Sequence, residues 1–139
     1  MAKPTIDQLK GVSLFSGLED ADLEGLAAEF NQRSYSAGAN IATEGEGGLV
    51  FFIIDSGDAS ISVGNHEVGR IGPDQYFGEV ALVDKRPRTA TVTAVTDMLV
   101  FTLPVWSFRP FVEARPEVAW KLLEALADRL VIAEARTSS

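Results

Sequence analysis

Apolar residues recur at helical spacing at both ends of this chain and alternate with polar ones through its middle. In residues 1–30, Ile6, Leu9, Leu14 and Phe15 are apolar, with Gly11 and Gly17 as punctuation. Leu23, Leu26, Ala27 and Phe30 then fall at helical spacing, which predicts a helix over about 20–29 with one apolar face. Asp20 and Asp22 suit the positive end of its dipole. From Arg33 the period drops to two. Ser36-Ala37-Gly38-Ala39-Asn40 is turn chemistry, Ile41-Ala42-Thr43 a short strand, and Glu44-Gly45-Glu46-Gly47-Gly48 a glycine-rich loop. Val50–Ile54 is apolar throughout and predicts a buried strand, closed by the turn Asp55-Ser56-Gly57-Asp58. Ala59–Val63 alternates, Gly64-Asn65 is a hairpin signal, and His66–Ile71 is the returning strand. Gly72-Pro73-Asp74 turns again, and further strands are expected near Ala90–Ala94 and Met98–Leu103. Several short strands with frequent turns predict a small barrel or jelly roll.

The helical period returns after Pro104, which fits the first residue of a helix because its missing N–H loses no bond there. Trp106, Phe108 and Phe111 lie on this helix, and Arg115-Pro116 breaks it. A long helix over about 116–136 follows, with Ala119, Leu123, Leu126, Leu130 and Ala133 spaced four, three, four, three. Trp120, Leu122, Ala127 and Val131 widen its apolar surface. That is more than one face needs for docking on a barrel, so the surplus suits a ligand or a second copy of the chain.

With 139 residues and 46% hydrophobic content, the chain reads as one domain with one core, residues 1–139. Its parts are a helical segment at about 4–30, a barrel at about 33–103 and closing helices at about 104–136. There is no cysteine, so neither disulfides nor thiolate metal sites hold the fold. No apolar run approaches the roughly 20 residues of a membrane helix, and the N-terminus leads into no signal core. A cytoplasmic protein without membrane attachment is expected.

A net charge of −8 argues against nucleic acid as a partner. Between Arg33 and Arg109 the only Lys or Arg residues are Arg70, Lys85, Arg86 and Arg88, and three of these stand together. The single histidine, His66, sits beside a hairpin turn with no suitably spaced metal ligands or Ser-Asp companions. No pair among the 20 acids stands out for acid–base work, so no enzyme and no metal site are expected.

One stretch does carry chemistry. Phe77-Gly78-Glu79-Val80-Ala81-Leu82 reads as a loop entering a short helix, and Pro87 ends that helix before a strand. Arg88, nine residues after Glu79, is carried back toward it. Helix amides around residues 79–81, together with Arg88, form a phosphate site. Glu79 would repel that phosphate unless it bound a neighbouring hydroxyl. A sugar phosphate meets both demands.

These residues resemble the phosphate-binding cassette of the cyclic nucleotide-binding domain family: Phe77-Gly78-Glu79-Val80-Ala81-Leu82, a short variable stretch, then Pro87-Arg88-Thr89-Ala90. Val12–Leu18 is similar to the family's N-terminal helical segment, and Gly38, Gly45 and Ile53–Gly57 are similar to its barrel turns. The resemblance spans about residues 12–135. It implies a mainly β fold, an eight-stranded jelly-roll barrel with N-terminal helices and a long C-terminal helix. It also implies that Glu79 accepts from the ribose 2′-hydroxyl and that Arg88 pairs with the cyclic phosphate. The amides of Gly78 and Glu79 complete the anion site, with Val80, Ala81, Leu82, Thr89 and Ala90 around it. Val63, Val68 and Phe77 are candidates for the wall, and Arg129, Leu130 or Ala133 for capping the base. Thr89 stands where relatives often have Ala and is associated with cGMP in some of them, so the ligand is cAMP or cGMP, with cAMP ahead. The implied function is a non-catalytic regulatory sensor whose last helix moves on binding. That helix would then meet an effector protein or a second copy. The alternatives are a structural module of the same fold that binds no nucleotide, or a fragment of a larger regulated protein. A free-standing sensor without an effector domain is the favoured expectation.

Overall fold

The computed structural model describes residues 2–79, 88 and 90–137, with side chains through residue 128. The chain opens with α1 (Ile6–Lys10), a 3-10 turn (Ser13–Phe15) and α2 (Asp20–Ala27). A capping box starts α1: the Gln8 amide donates to Thr5 Oγ1 at 3.0 Å while the Thr5 amide donates to Gln8 Oε1 at 2.8 Å. Gln8 Nε2 also donates to Asp55 Oδ1 at 2.9 Å, tying the helical segment to the sheets.

Eight strands follow among the described residues: β1 (Asn31–Tyr35), β2 (Asn40–Ala42), β3 (Val50–Ser56), β4 (Ala59–Val63), β5 (His66–Ile71), β6 (Tyr76–Phe77), β7 (Thr91–Ala94) and β8 (Met98–Pro104). They form two four-stranded sheets, ordered β1-β8-β3-β6 and β2-β7-β4-β5, with antiparallel pairing throughout. No strand is shared between the two sheets among the described residues. The architecture is therefore mainly β with flanking helices.

β4 and β5 span the residues expected from the sequence, and Gly64 (φ 56°) and Asn65 (φ 70°) make the tight turn between them. Ile61 pairs with Gly69 and Ser62 with Glu67, so Val68 is the extra residue of a β-bulge. β6 lies where only a turn is expected from the sequence. β1 is a sheet edge that pairs with β8 among the described residues, and Tyr35 at its end packs on the cluster between the sheets.

The sheet containing β3 is a partition with a hydrophobic cluster on each side. Phe51 and Ile53 of β3, with Phe101 and Leu103 of β8, face the helices, joined by Phe15, Leu23, Phe30, Phe108 and Val118. Phe52 and Ile54, with Met98 and Val100, face the second sheet alongside Ala59, Phe77, Val92 and Ala94. β3 is apolar without alternation because both its faces are covered.

Two helices close the chain, α3 (Val105–Ala114) and α4 (Pro116–Thr137). Pro104 ends β8 and is the N-cap of α3, so the helix begins at Val105, one position later than the sequence suggests. Pro110 lies inside α3, where it has no N–H to give the Trp106 carbonyl. Phe108 is fully buried, 4.4 Å from the Phe51 ring and 6.1 Å from that of Phe15. Arg115, at the junction with α4, pairs with Asp22 of α2 at 2.8 Å and stands 4.1 Å from the Phe111 ring centroid. Among the described residues no helix is long and apolar enough to cross a membrane.

Candidate functional site

β6 sets the geometry of the site. Pairing of Phe77 with Phe52 holds the two rings 4.5 Å apart and 7° from parallel, both buried in the cluster between the sheets. The chain then turns at Gly78, whose φ of 91° belongs to the left-handed region. A Cβ there would overlap the Val50 carbonyl oxygen and press on Phe51 Cα at 3.4 Å, so only glycine fits this corner. The corner folds Glu79 inward, where it is 3% exposed. A buried carboxylate at a glycine corner is a strong acceptor in a place that water barely reaches.

Arg88 approaches the same place from the other direction. Its amide donates to the Glu46 carbonyl at 2.8 Å and its carbonyl accepts from the Gly45 amide at 2.8 Å. These two bonds pin the Arg88 backbone to the loop 44–48. Its guanidinium then lies 5.7 Å from the Phe52 ring centroid, a cation–π contact with the ring that stacks on Phe77. Burial pushes the Arg88 pKa down, and the neighbouring Tyr35 hydroxyl acts in the opposite direction. Among the described residues no carboxylate forms an ion pair with it. A half-buried cation of this kind gains from an incoming anion by recovering the electrostatic stabilisation that desolvation removed.

The structure thus brings Arg88, Phe77, Gly78 and Glu79 to one end of the space between the sheets, linked through Phe52. Phe77 itself is buried and stacked rather than open. Ala90 is half-buried just before β7. Val63 and Val68 lie on the β4–β5 hairpin, 43% and 39% exposed. Glu44 connects that hairpin to the loop that holds Arg88. Its Oε1 accepts from the Gly64 amide at 3.0 Å, and its own amide donates to Thr91 Oγ1 at 2.9 Å. Val80, Ala81, Leu82 and Thr89 lie outside the described residues, as do the side chains of Arg129, Leu130 and Ala133.

Sequence reasoning passed over three contributors: Phe52, Tyr35 and the backbone of Gly45 and Glu46, in a loop that reads there as a plain turn. Phe52 is one of six consecutive apolar residues, Leu49 to Ile54, so nothing in its own neighbourhood marks it. The loop's signal is its glycine content, which any surface turn shares.

A family model described as "Cyclic nucleotide-binding domain" matches residues 32–115. Over 98 residues the chain is 40% identical to a cAMP-dependent protein kinase regulatory subunit of Eremothecium gossypii, covering 70% of this chain and 21% of that protein. Over 127 residues it is 30% identical to a CRP-like cAMP-activated global transcriptional regulator of Mycobacterium tuberculosis, covering 88% of this chain and 57% of that one. The chain therefore spans only part of the length of either relative. Among solved structures, the catabolite activator protein of Thermus thermophilus is similar with a TM-score of 0.79 and 28% identity, over 90% of this chain and 61% of that one. The regulatory domain of Toxoplasma gondii PKA with cAMP is similar with a TM-score of 0.79 and 27% identity, over 90% of this chain and 49% of that one.

Proposed function

We propose, because this chain belongs to the cyclic nucleotide-binding domain family, that it is a non-catalytic sensor of a cyclic nucleotide, with cAMP ahead of cGMP. The observation that carries the proposal is the half-buried Arg88 guanidinium, seated over Phe52 near the corner where Gly78 turns Glu79 inward. A cyclic phosphate takes two charge-assisted hydrogen bonds from the guanidinium. The amides of Gly78 and Glu79 add to the anion site, along with the Val80–Leu82 and Thr89–Ala90 segments. Glu79 accepts from the ribose 2′-hydroxyl, which removes the repulsion between a carboxylate and a bare phosphate. The relatives whose names carry cAMP support the adenine nucleotide, while the Thr89 hydroxyl offers guanine a partner. This reading takes the two sheets as the halves of a jelly-roll barrel.

The output of such a sensor is α4. Arg129 or Leu130 caps the base, and the helix shifts between two states as far as the ligand's affinities for them differ. Trp120 and Leu123, 65% and 55% exposed on α4, support a contact with an effector or a second copy of the chain. The net charge of −8 supports a module that does not itself bind nucleic acid.

Titration with cAMP and with cGMP, followed by melting temperature, tests the reading, since a ligand of the native state must raise it. Arg88→Ala should weaken binding by about 2–5 kcal/mol, as the loss of one partner of a close charge pair does. A wild-type protein whose melting temperature neither nucleotide moves would sink the proposal.

A further inference from the structure

Gly48 is glycine for a reason that its backbone does not supply. Gly38, Gly45, Gly57, Gly64 and Gly78 have positive φ, and Gly48 does not. A side chain there is conformationally permitted. The space for it is already taken: a Cβ built on Gly48 falls inside the Arg88 guanidinium, overlapping Nε, Cζ and Nη2. Gly47, its neighbour in the same loop, also lacks a positive φ and has nothing within 4 Å of its Cβ position. Of two adjacent glycines with ordinary backbones, one faces open space and the other faces the cation.

We propose that Gly48 is a positioning residue for Arg88: its bare Cα is the floor on which the guanidinium rests, and this fixes where the ligand's phosphate must sit. Three constraints converge on that placement. The bonds to Gly45 and Glu46 fix the Arg88 backbone, and the Phe52 ring lies against the guanidinium. Gly48 supplies the clearance between loop and ring. Paired hydrogen bonds from a planar fork to a phosphate tolerate little displacement, so a single methyl group at residue 48 moves the donor away from its acceptor. The displaced atoms are the far end of a flexible side chain rather than backbone. The fold can therefore accommodate the methyl group, and the loss falls on binding rather than on folding.

The inference rests on the proposed nucleotide-binding reading, and two measurements separate the failure of one from the failure of the other. The first needs no ligand. In ¹⁵N spectra the Arg88 Nε–H resonance, placed near the Phe52 ring, should shift in Gly48→Ala and stay put in Gly47→Ala. The second is calorimetric titration with cAMP of the wild type, Gly47→Ala, Gly48→Ala, Arg88→Ala and the Gly48→Ala/Arg88→Ala double variant. Gly48→Ala should bind on the order of tenfold more weakly than wild type or worse, with Gly47→Ala unchanged. Adding Gly48→Ala to Arg88→Ala should cause no further loss, because the methyl group then displaces nothing. The unliganded melting temperature should hardly move. Wild-type affinity in Gly48→Ala would overturn the proposal, and so would tighter binding, which would make the floor a place where Arg88 is held away from the ligand. An equal loss in both backgrounds, or a large fall in unliganded stability, would make Gly48 a fold residue and overturn it as well. If the wild type binds no cyclic nucleotide, the functional reading fails, while the resonance shift still decides whether Gly48 seats Arg88.

Discussion

Replacing Phe52 with leucine probes what holds Arg88 in place, because this one ring contacts both the core and the cation. The ring is 4% exposed, 4.5 Å from Phe77 and near parallel to it, with the Arg88 Cζ 5.7 Å from its centroid. Leucine keeps most of the buried apolar bulk, so the loss is mainly in the two ring-specific terms. The aromatic pair contributes about 0.5–1.5 kcal/mol beyond its buried area. The cation–π contact, with the guanidinium half-buried, falls inside the range of about 0.5–2 kcal/mol between exposed and desolvated sites. Phe52→Leu should therefore destabilise the unliganded protein by about 1–3.5 kcal/mol, with no change in the denaturant slope. A double-mutant cycle isolates the second term. Urea unfolding of the wild type, Phe52→Leu, Arg88→Ala and the double variant should show a coupling energy of about 1 kcal/mol. A coupling below about 0.5 kcal/mol, within the scatter of unconnected sites, would refute the idea that the ring holds the guanidinium.

Gly78→Ala forces a Cβ into the left-handed region and against the Val50 carbonyl oxygen; a destabilisation of about 2 kcal/mol or more is expected from chemical denaturation, and a wild-type midpoint would contradict the assigned corner. Glu79→Gln should weaken cAMP more than its 2′-deoxy analogue, which lacks the hydroxyl that the carboxylate would accept from; equal losses by calorimetry would remove Glu79 from the ribose. At the surface, the hydrogen bond from Lys10 to Asp20 raises the lysine's pKa. Its contribution to stability is complete below the ordinary lysine value and is lost as pH rises through the raised one. Asp20→Asn should make Lys10 titrate at lower pH by NMR, and an unchanged titration would disprove the pairing in solution.

Periodicity was enough to read the elements whose two faces differ. β4 and β5 fall at the bounds that the polar pattern and the Gly64-Asn65 turn predict, and α4 starts at Pro116, where the sequence already breaks. β6 is only two residues long, too short for any period to register, and its pairing with β3 depends on a partner more than twenty residues away. Gly78, Glu79 and Arg88 were legible because a local order of residues carries them. The support beneath Arg88 was not, since Gly48 and Phe52 meet it at sequence separations of 40 and 36. Contacts at that separation leave no pattern in one sequence.

The partition formed by β3 and β8 gives the chain a parity rule for engineering. Even-numbered Phe52, Ile54, Met98 and Val100 face the second sheet, and odd-numbered Phe51, Ile53, Phe101 and Leu103 support the helices. Adjacent codons therefore address different properties of the molecule. A library confined to the even positions would remodel the packing between the sheets on a constant helical platform. One confined to the odd positions would retune how firmly α3 is seated while the packing between the sheets is kept. Because Phe51 and Phe52 share a peptide bond, a backbone shift is what the two libraries have in common, and variants that alter both properties at once would locate it.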